Sequence, residues 1–175
     1  MEHPSALANA RSLIAAIPDY PQPGVVFRDL TPLFADAPAF RAVIDALLEP
    51  FAGRFDAVAG IEARGFVLAG AAARAAGVGL VPIRKAGKLP RETESAEYAL
   101  EYGTATIEAH RGDLPAGSRV LILDDVLATG GTIRAAHRIG EALGWDVVGT
   151  AVVLEIAALE GRAAVGAQVH AVFTG

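Results

Sequence analysis

The chain has 175 residues, which is the length of one domain and enough to bury a hydrophobic core. Hydrophobic residues make up 53% of it, which argues against intrinsic disorder, and the net charge of −5 argues against a nucleic-acid-binding face. Because there is no cysteine, the composition excludes disulfides, thiolate catalysis and zinc–thiolate sites.

The first fifty residues predict two helices separated by a turn. Ser5 is a candidate N-cap for a first helix whose inner face would carry Leu7, Ala10, Ile14 and Ile17. Prolines and a glycine in residues 18–24 predict a turn, and residues 25–27 form a short extended run. Asp36 and Pro38 predict the start of a second helix. Its inward-facing residues would be Phe40, Ile44, Leu47 and Phe51.

Apolar runs alternate with helical patterns along the rest of the chain. The predicted strands are residues 57–61, 78–83, 119–123, 147–154 and 168–173, and the predicted helices are residues 66–76 and 133–143. The polar residues 84–95 predict an exposed loop, and residues 98–109 predict a hairpin. This alternation predicts a doubly wound α/β fold, in which a mainly parallel sheet is covered by helices on both faces. Such sheets bind ligands beyond the carboxyl ends of their strands, here after Ile61, Ile83 and Leu123.

One apolar stretch, from Gly65 to Ile83, carries a single charge, that of Arg74. An arginine at the centre of a membrane span is penalised by about 2.5–3.5 kcal/mol, so a buried helix followed by a strand fits this stretch better. The N-terminal residues lack a basic region followed by an apolar core, the pattern of a signal peptide. We therefore expect a protein that is soluble and has no membrane partner.

The segment VLILDDVLATGGT, residues 120–132, predicts an anion site. Glycines let successive backbone N–H groups approach one phosphate, and the following helix adds the positive end of its dipole. We call residues 128–132 the phosphate loop; its members are Ala128, Thr129, Gly130, Gly131 and Thr132. The adjacent Asp124 and Asp125 repel phosphate but suit ribose hydroxyls or Mg²⁺, held directly or through water. The alternative, a tight turn capped by an aspartate, explains neither both acids nor both threonines.

Basic residues follow two other strands. Arg64 comes after the strand 57–61, where its planar fork suits a phosphate; the alternative is a surface ion pair with Glu62. Residues 84–91, which we call the basic loop, carry Arg84, Lys85, Lys88 and Arg91 in an otherwise acidic protein. A solvated charged face is the alternative, but the position after a strand favours anion binding. Arg84 and Lys88 are the preferred candidates.

Residues 120–132 resemble the phosphoribosyl pyrophosphate motif of the type I phosphoribosyltransferases. Four further segments resemble the adenine phosphoribosyltransferases of that family, so the resemblance covers almost the whole chain; they are residues 18–33, 60–66, 82–90 and 98–104. The resemblance implies a type I phosphoribosyltransferase fold in one domain, residues 1–175. Within it, a hood for base recognition would occupy about residues 1–35, and a flexible lid about residues 86–108.

The resemblance also implies an activity. Adenine and 5-phospho-α-D-ribose 1-diphosphate would give AMP and pyrophosphate with Mg²⁺ as cofactor, in a cytoplasmic purine-salvage enzyme. The loop at Arg64 would cradle pyrophosphate together with Arg84 and Lys88. A homodimer is implied as well, because cations of the basic loop then reach the pyrophosphate of the neighbouring subunit.

Two lid residues receive roles from the resemblance alone. Glu101 is the candidate acid/base group that manages the purine proton, and Tyr102 packs over the substrates. The pattern of residues 98–109 by itself predicts only a surface hairpin with ordinary acids. A lid is physically reasonable, because an activated ribose must be kept from water.

The base-binding residues also come from the resemblance. Phe27 would stack on adenine, with backbone groups of Val26 and Arg28 at the edge of the base and Ile156 on its other face. Without the resemblance, Phe27 is an ordinary core residue. Backbone groups matched to a 6-amino purine would disfavour a 6-oxo purine, because buried polar groups would be left unpaired.

Three alternatives to this function remain. The same reaction on a 6-oxopurine is the first of them. A regulator that senses the activated sugar without turnover would need a nucleic-acid-binding element, and the acidic composition provides no basic face. A doubly wound signalling receiver would use the acidic pair for Mg²⁺, but the Gly-Gly-Thr sequence directly after the acids disfavours it.

Overall fold

The computed structural model describes residues 3–100 and 103–175, with side chains from residue 6 onward. The chain divides into two compact units, Met1–Ala46 and Leu47–Gly175. The elements that begin in the first unit are α1 (His3–Ser12), β1 (Ala15–Pro18), β2 (Val26–Asp29), α2 (Thr31–Ala35) and α3 (Ala37–Leu48).

The first unit corrects the prediction for the first helix. α1 ends at Ser12, so Ile14 and Ile17 lie outside it, and β1 pairs antiparallel with β2, with Ile17 opposite Phe27. The extended conformation of Ile17 agrees with its position before Pro18, because the residue before a proline is disfavoured in the helical region. The predicted start of the next long helix is confirmed, because Asp36 Oδ1 accepts a hydrogen bond from the Ala39 N–H at 2.9 Å.

The second unit contains the large sheet and its helices. Its elements are β3 (Ala57–Ile61), α4 (Arg64–Ala76), β4 (Gly79–Lys85), β5 (Thr93–Ala99), β6 (Thr104–His110), β7 (Arg119–Leu127), α5 (Gly131–Ala142), β8 (Asp146–Glu155), α6 (Gly161–Val165) and β9 (Val169–Thr174). The strand order is β5-β6-β4-β3-β7-β8-β9. The five strands from β4 to β9 in this order are parallel, and β5 and β6 form an antiparallel hairpin beside β4. The predicted mainly parallel α/β sheet is therefore confirmed.

The core of the second unit explains the apolar runs of the sequence. Every residue of β3 is buried, and Val120, Leu121, Ile122 and Leu123 of β7 have no exposed surface. These two strands lie next to each other in the middle of the sheet, where both faces are covered and alternation with polar residues is lost. Among the described residues, none of the helices has the length and apolar character needed to cross a bilayer.

Two predicted boundaries in the second unit are wrong. The exposed loop predicted at residues 84–95 shrinks to residues 86–92, because β4 continues to Lys85 and β5 begins at Thr93. β5 is held as a strand by backbone hydrogen bonds to β6, and the polar side chains of its residues give no sign of this pairing. The strand predicted to end at residue 123 continues to Leu127, where it still pairs with β8, so the acidic pair belongs to the strand. The short helices α2 and α6 are additions to the prediction.

Candidate active site

The phosphate loop surrounds a small cavity at the carboxyl end of β7. The cavity has a volume of about 70 Å³. It is lined by Asp124, Val126, Leu127, Ala128, Thr129, Gly130, Gly131, Thr132 and Ile133. One water needs roughly 10–15 Å³ in the same measure, so several atoms of a tetrahedral oxyanion fit. The loop leads into α5, a twelve-residue helix whose first N–H groups and dipole favour an anion there.

Of the two glycines in the phosphate loop, only Gly130 is required by its surroundings in the structure. Gly130 has φ +82°, and a Cβ on it would lie 2.5 Å from the Gly161 carbonyl oxygen and 3.1 Å from Val165 Cγ2. Both conformation and space therefore demand glycine at this position. At Gly131, the nearest described atom to a Cβ would be the Ala99 carbonyl oxygen at 3.5 Å, which is an ordinary contact.

The two aspartates have different neighbours. Asp124 lines the cavity of the phosphate loop, whereas Asp125 Oδ2 lies 2.6 Å from Arg64 Nε. Both residues are buried, and burial, followed by the charge of Asp125, raises the pKa of Asp124 well above its usual range. Asp125 Oδ2 is buried and has no hydrogen-bond partner within the described part of the chain, although Arg64 Nε lies 2.6 Å away as an ion-pair partner. Within the described residues, the hydrogen-bonding capacity of this acceptor oxygen is therefore unused.

Arg64 reaches Asp125 because the start of α4 lies against the end of β7. A Cβ on Gly65 would lie 2.8 Å from the Leu123 carbonyl oxygen, and one on Gly60 would lie 2.7 Å from Ala69 Cβ. The glycines of the segment 60–66 therefore allow close packing of helix on strand. Arg64 forms an ion pair with Asp125, whereas the Glu62 carboxylate binds Arg84 and Lys88.

Those cations are the two predicted in the basic loop. Glu62 Oε1 accepts a hydrogen bond from Lys88 Nζ at 2.6 Å, and its Oε2 accepts one from Arg84 Nε at 3.3 Å. The Lys85 N–H donates to the same Oε2 at 3.0 Å. These contacts, the Lys88 hydrogen bond foremost, lower the pKa of Glu62 to about 2. Arg84 and Lys88 therefore lie together and share a carboxylate partner.

A second glutamate, which the sequence did not single out, supports the basic loop. Glu108 of β6 is buried, and its Oε1 accepts hydrogen bonds from the Lys88 and Leu89 N–H groups, both at 3.1 Å. The only signal in the sequence is an acid between the apolar residues Ile107 and Ala109. Since surface strands contain such acids routinely, the role became visible only with the fold.

The middle of the segment predicted as a lid lies beside the phosphate loop. Glu101 and Tyr102 lie outside the described residues, and Gly103 begins the described part that continues into β6. The preceding residues Tyr98, Ala99 and Leu100 line a cavity of about 670 Å³. The other described residues that line it are Thr129, Gly131, Thr132, Arg134, Leu159 and Ala164. The end of β5 and the phosphate loop thus face one space.

The predicted base-binding residues are divided between the two units. In the first unit, Val26, Phe27 and Arg28 belong to β2, and the ring of Tyr20 meets that of Phe27 edge-on, with centroids 5.2 Å apart. In the second unit, Ile156 follows β8 directly, is half-buried, and donates its backbone N–H to the Leu127 carbonyl oxygen at 2.9 Å.

Comparison with known proteins connects this geometry to a family. The model of the phosphoribosyl transferase domain matches residues 35–173. A protein of Arthrobacter sp. (strain FB24) named adenine phosphoribosyltransferase is 65% identical over 153 residues, which are 87% of this chain and 83% of that protein.

Solved structures agree over nearly the full length. The crystal structure of adenine phosphoribosyltransferase from Rhodothermus marinus superposes with a TM-score of 0.93 at 44% identity, covering 98% of this chain and 99% of that one. The Saccharomyces cerevisiae enzyme, crystallised with an imino-altritol bisphosphate and adenine, gives a TM-score of 0.92 at 37% identity. That match covers 97% of this chain and 99% of the yeast chain.

Proposed function

The chain belongs to the phosphoribosyltransferase family and, within it, to the adenine phosphoribosyltransferases, and from this membership we propose its reaction. Adenine displaces pyrophosphate from 5-phospho-α-D-ribose 1-diphosphate, giving AMP and pyrophosphate. The observation that carries the proposal is the phosphate loop, a cavity of about 70 Å³ at a helix N-terminus, with an acidic pair directly before it. One loop can then hold a phosphate while neighbouring carboxylates accept hydrogen bonds from ribose hydroxyls.

The reaction is tested by a coupled assay of the purified protein with the activated sugar and Mg²⁺. Adenine, hypoxanthine and guanine are offered separately, and pyrophosphate release is followed. We expect turnover with adenine and a kcat/KM at least 100-fold lower with the two 6-oxopurines. A higher kcat/KM with hypoxanthine or guanine than with adenine would establish the 6-oxopurine reaction instead. If no base were turned over, the proposal that the protein is a phosphoribosyltransferase enzyme would be contradicted.

We propose that the acidic pair also serves Mg²⁺. The residues fit, because Mg²⁺ in nucleotide enzymes is usually held by one or two carboxylates together with substrate phosphates and waters. Asp124 and Asp125 supply two adjacent carboxylates, one with an acceptor oxygen that lacks a hydrogen bond among the described residues. No group of three His, Asp or Glu residues in that part of the chain could hold a metal by itself. When bound, the ion would neutralise charge on the departing pyrophosphate.

The remaining pyrophosphate charge is assigned to Arg64, Arg84 and Lys88. Each charge-assisted hydrogen bond contributes on the order of 1.5–3 kcal/mol, so a few of them offset the repulsion of an anionic substrate by an acidic protein. Without substrate, these cations are engaged by Asp125 and Glu62. On this proposal, phosphate oxygens of the substrate replace the protein carboxylates as partners of these cations. Because the cations remain charged throughout, they stabilise the leaving group electrostatically.

Replacing Asp125 by asparagine is expected to weaken binding of the activated sugar selectively. Loss of one charge-assisted hydrogen bond corresponds to an increase of about 10- to 150-fold in the KM of that substrate. The adenine KM should change less than threefold. Asp56→Asn is the matched control, because Asp56 also pairs with an arginine, Arg119, at the opposite end of β7. Equal losses for both substrates would contradict the role of Asp125.

Replacing Phe27 by alanine is expected to raise the adenine KM. Stacking of a base on an aromatic ring contributes roughly 1–3 kcal/mol, which corresponds to about 5- to 150-fold. Phe27→Leu retains apolar volume without the ring and separates stacking from general apolar contact. Thermal unfolding of both variants monitors the lost packing against Tyr20. An adenine KM unchanged in the alanine variant would remove Phe27 from the binding site.

We further propose that Val26 and Arg28 read the edge of adenine through their backbones, that Ile156 contacts the base, and that Tyr102 belongs to the lid. A homodimer and a cytoplasmic location are also proposed. Family resemblance supports the dimer, and the charge of the phosphorylated substrates, which do not cross membranes freely, supports the location. Light scattering coupled to gel filtration tests the dimer directly.

A further inference from the structure

The back wall of the phosphate loop is formed by the first residue of α6. A Cβ on Gly161 would overlap the Ala128 carbonyl oxygen and would lie 2.9 Å from Leu127 Cδ1. Reciprocally, a Cβ on Gly130 would meet the Gly161 carbonyl oxygen. The backbones of the two segments therefore touch at both glycines, and a displacement of Gly161 must displace the phosphate loop.

α6 has only five residues, Gly161–Val165, and isolated helices of this length are not stable in water. The residue before it, Glu160, has φ +52°, and Gly166 after it has φ +66°, so a residue in the left-handed conformation lies on each side of the helix. Val165 is the one side chain of α6 that is buried. The position of this helix must therefore depend on further contacts.

Arg162 supplies some of those contacts, in addition to the packing of α6 against α5. Its guanidinium binds the Glu155 carboxylate with two nitrogens, Nε to Oε1 at 3.1 Å and Nη2 to Oε2 at 2.5 Å. The third nitrogen donates to the Val169 carbonyl oxygen. One side chain thereby joins α6 to the end of β8 and to the start of β9. A planar guanidinium with three bonded nitrogens fixes the orientation of the arginine side chain as well as its distance from its partners.

Glu155 in turn lies beside the strand that carries the phosphate loop. It pairs in register with Leu127, the last residue of β7. Glu155 is buried, whereas the Arg162 side chain is 48% exposed. The phosphate loop is thus contacted by Gly161 of α6, and the neighbouring Arg162 binds Glu155, which pairs with the end of β7.

We propose that Arg162 is a positioning residue for phosphate binding, acting through the contact of Gly161 with Ala128 and Gly130. It touches no substrate in this proposal. The inference rests on the proposed function, because it assumes that the phosphate loop holds the 5′-phosphate of AMP and of the activated sugar. A purely structural ion pair would stabilise the fold without affecting that phosphate.

The test compares Arg162→Met with Arg119→Met. Arg119 forms the same set of bonds at the other end of the sheet: Nε and Nη2 bind Asp56 at 3.0 and 2.5 Å, and Nη1 donates to the Gly53 carbonyl oxygen at 3.2 Å. The two arginine side chains are similarly exposed, 44% and 48%. Calorimetric titration with AMP and with adenine, together with the melting temperature, is measured for each variant.

We expect Arg162→Met to weaken AMP binding about tenfold and adenine binding less than twofold, with Arg119→Met binding both as the wild type does. Arg162→Lys, which retains one contact with Glu155, should recover part of the AMP affinity. If the wild type binds AMP, the proposal is overturned by an unchanged AMP affinity in Arg162→Met, or by an equal loss of AMP affinity in both methionine variants. Failure of the wild type to bind AMP would instead overturn the proposed function, and this inference with it.

Discussion

Replacing Gly130 by alanine is expected to abolish phosphate binding and to destabilise the fold. A methyl group there would lie 2.5 Å from the Gly161 carbonyl oxygen, and φ is +82°. The left-handed conformation costs a non-glycine residue about 1–2 kcal/mol, and overpacking costs about 1–3 kcal/mol. Together these correspond to a fall of roughly 10 °C in Tm for a chain of this length. AMP affinity should fall at least 100-fold, since the loop can escape the clash only by changing shape.

Gly131→Ala is the folding control for this experiment. Its Cβ would meet the described residues only at ordinary contact distance, so its Tm should stay within about 2 °C of the wild type. The comparison separates the effect of a methyl group in general from that of the contact with Gly161. A Gly130→Ala protein with wild-type Tm and wild-type AMP affinity would show that this packing does not shape the site.

Replacing Glu101 by glutamine is expected to lower kcat by about 100- to 10,000-fold, the range that general acid–base catalysis contributes. The amide has the size of the carboxylate but cannot exchange a proton with the purine. Because the family resemblance places Glu101 on a lid over the reacting centre, KM for both substrates and Tm should change little. Steady-state kinetics and thermal unfolding of the same preparation measure these quantities.

Glu97→Gln provides the matched control. Glu97 is an exposed acid on β5 of the same hairpin, opposite Thr106 of β6, and it carries the same charge. Its variant should retain wild-type kcat, which separates a specific proton transfer from a change in the overall charge of the lid. If Glu101→Gln turned over at the wild-type rate, Glu101 would have no part in proton transfer.

The sequence predicted well those features that depend on neighbouring residues. The buried strands 57–61 and 147–154 were located to within one residue, because a strand covered on both faces needs an unbroken apolar run. The boundaries of β5 and β7 were predicted poorly. Their ends depend on pairing with β6 and β8, and a polar or acidic residue in a strand gives no local sign of its partner.

By itself, the sequence predicted an anion site after a buried strand, since glycines, threonines and a helix start are consecutive at residues 128–132. Only the tertiary structure decided which charges meet: Arg64 with Asp125, and Glu62 with Arg84 and Lys88. It also brought Gly161 against Gly130, a contact that no local pattern announces. The physical reason is that hydrophobic periodicity and turn chemistry act along the chain, whereas ion pairs and backbone contacts depend on how distant segments pack.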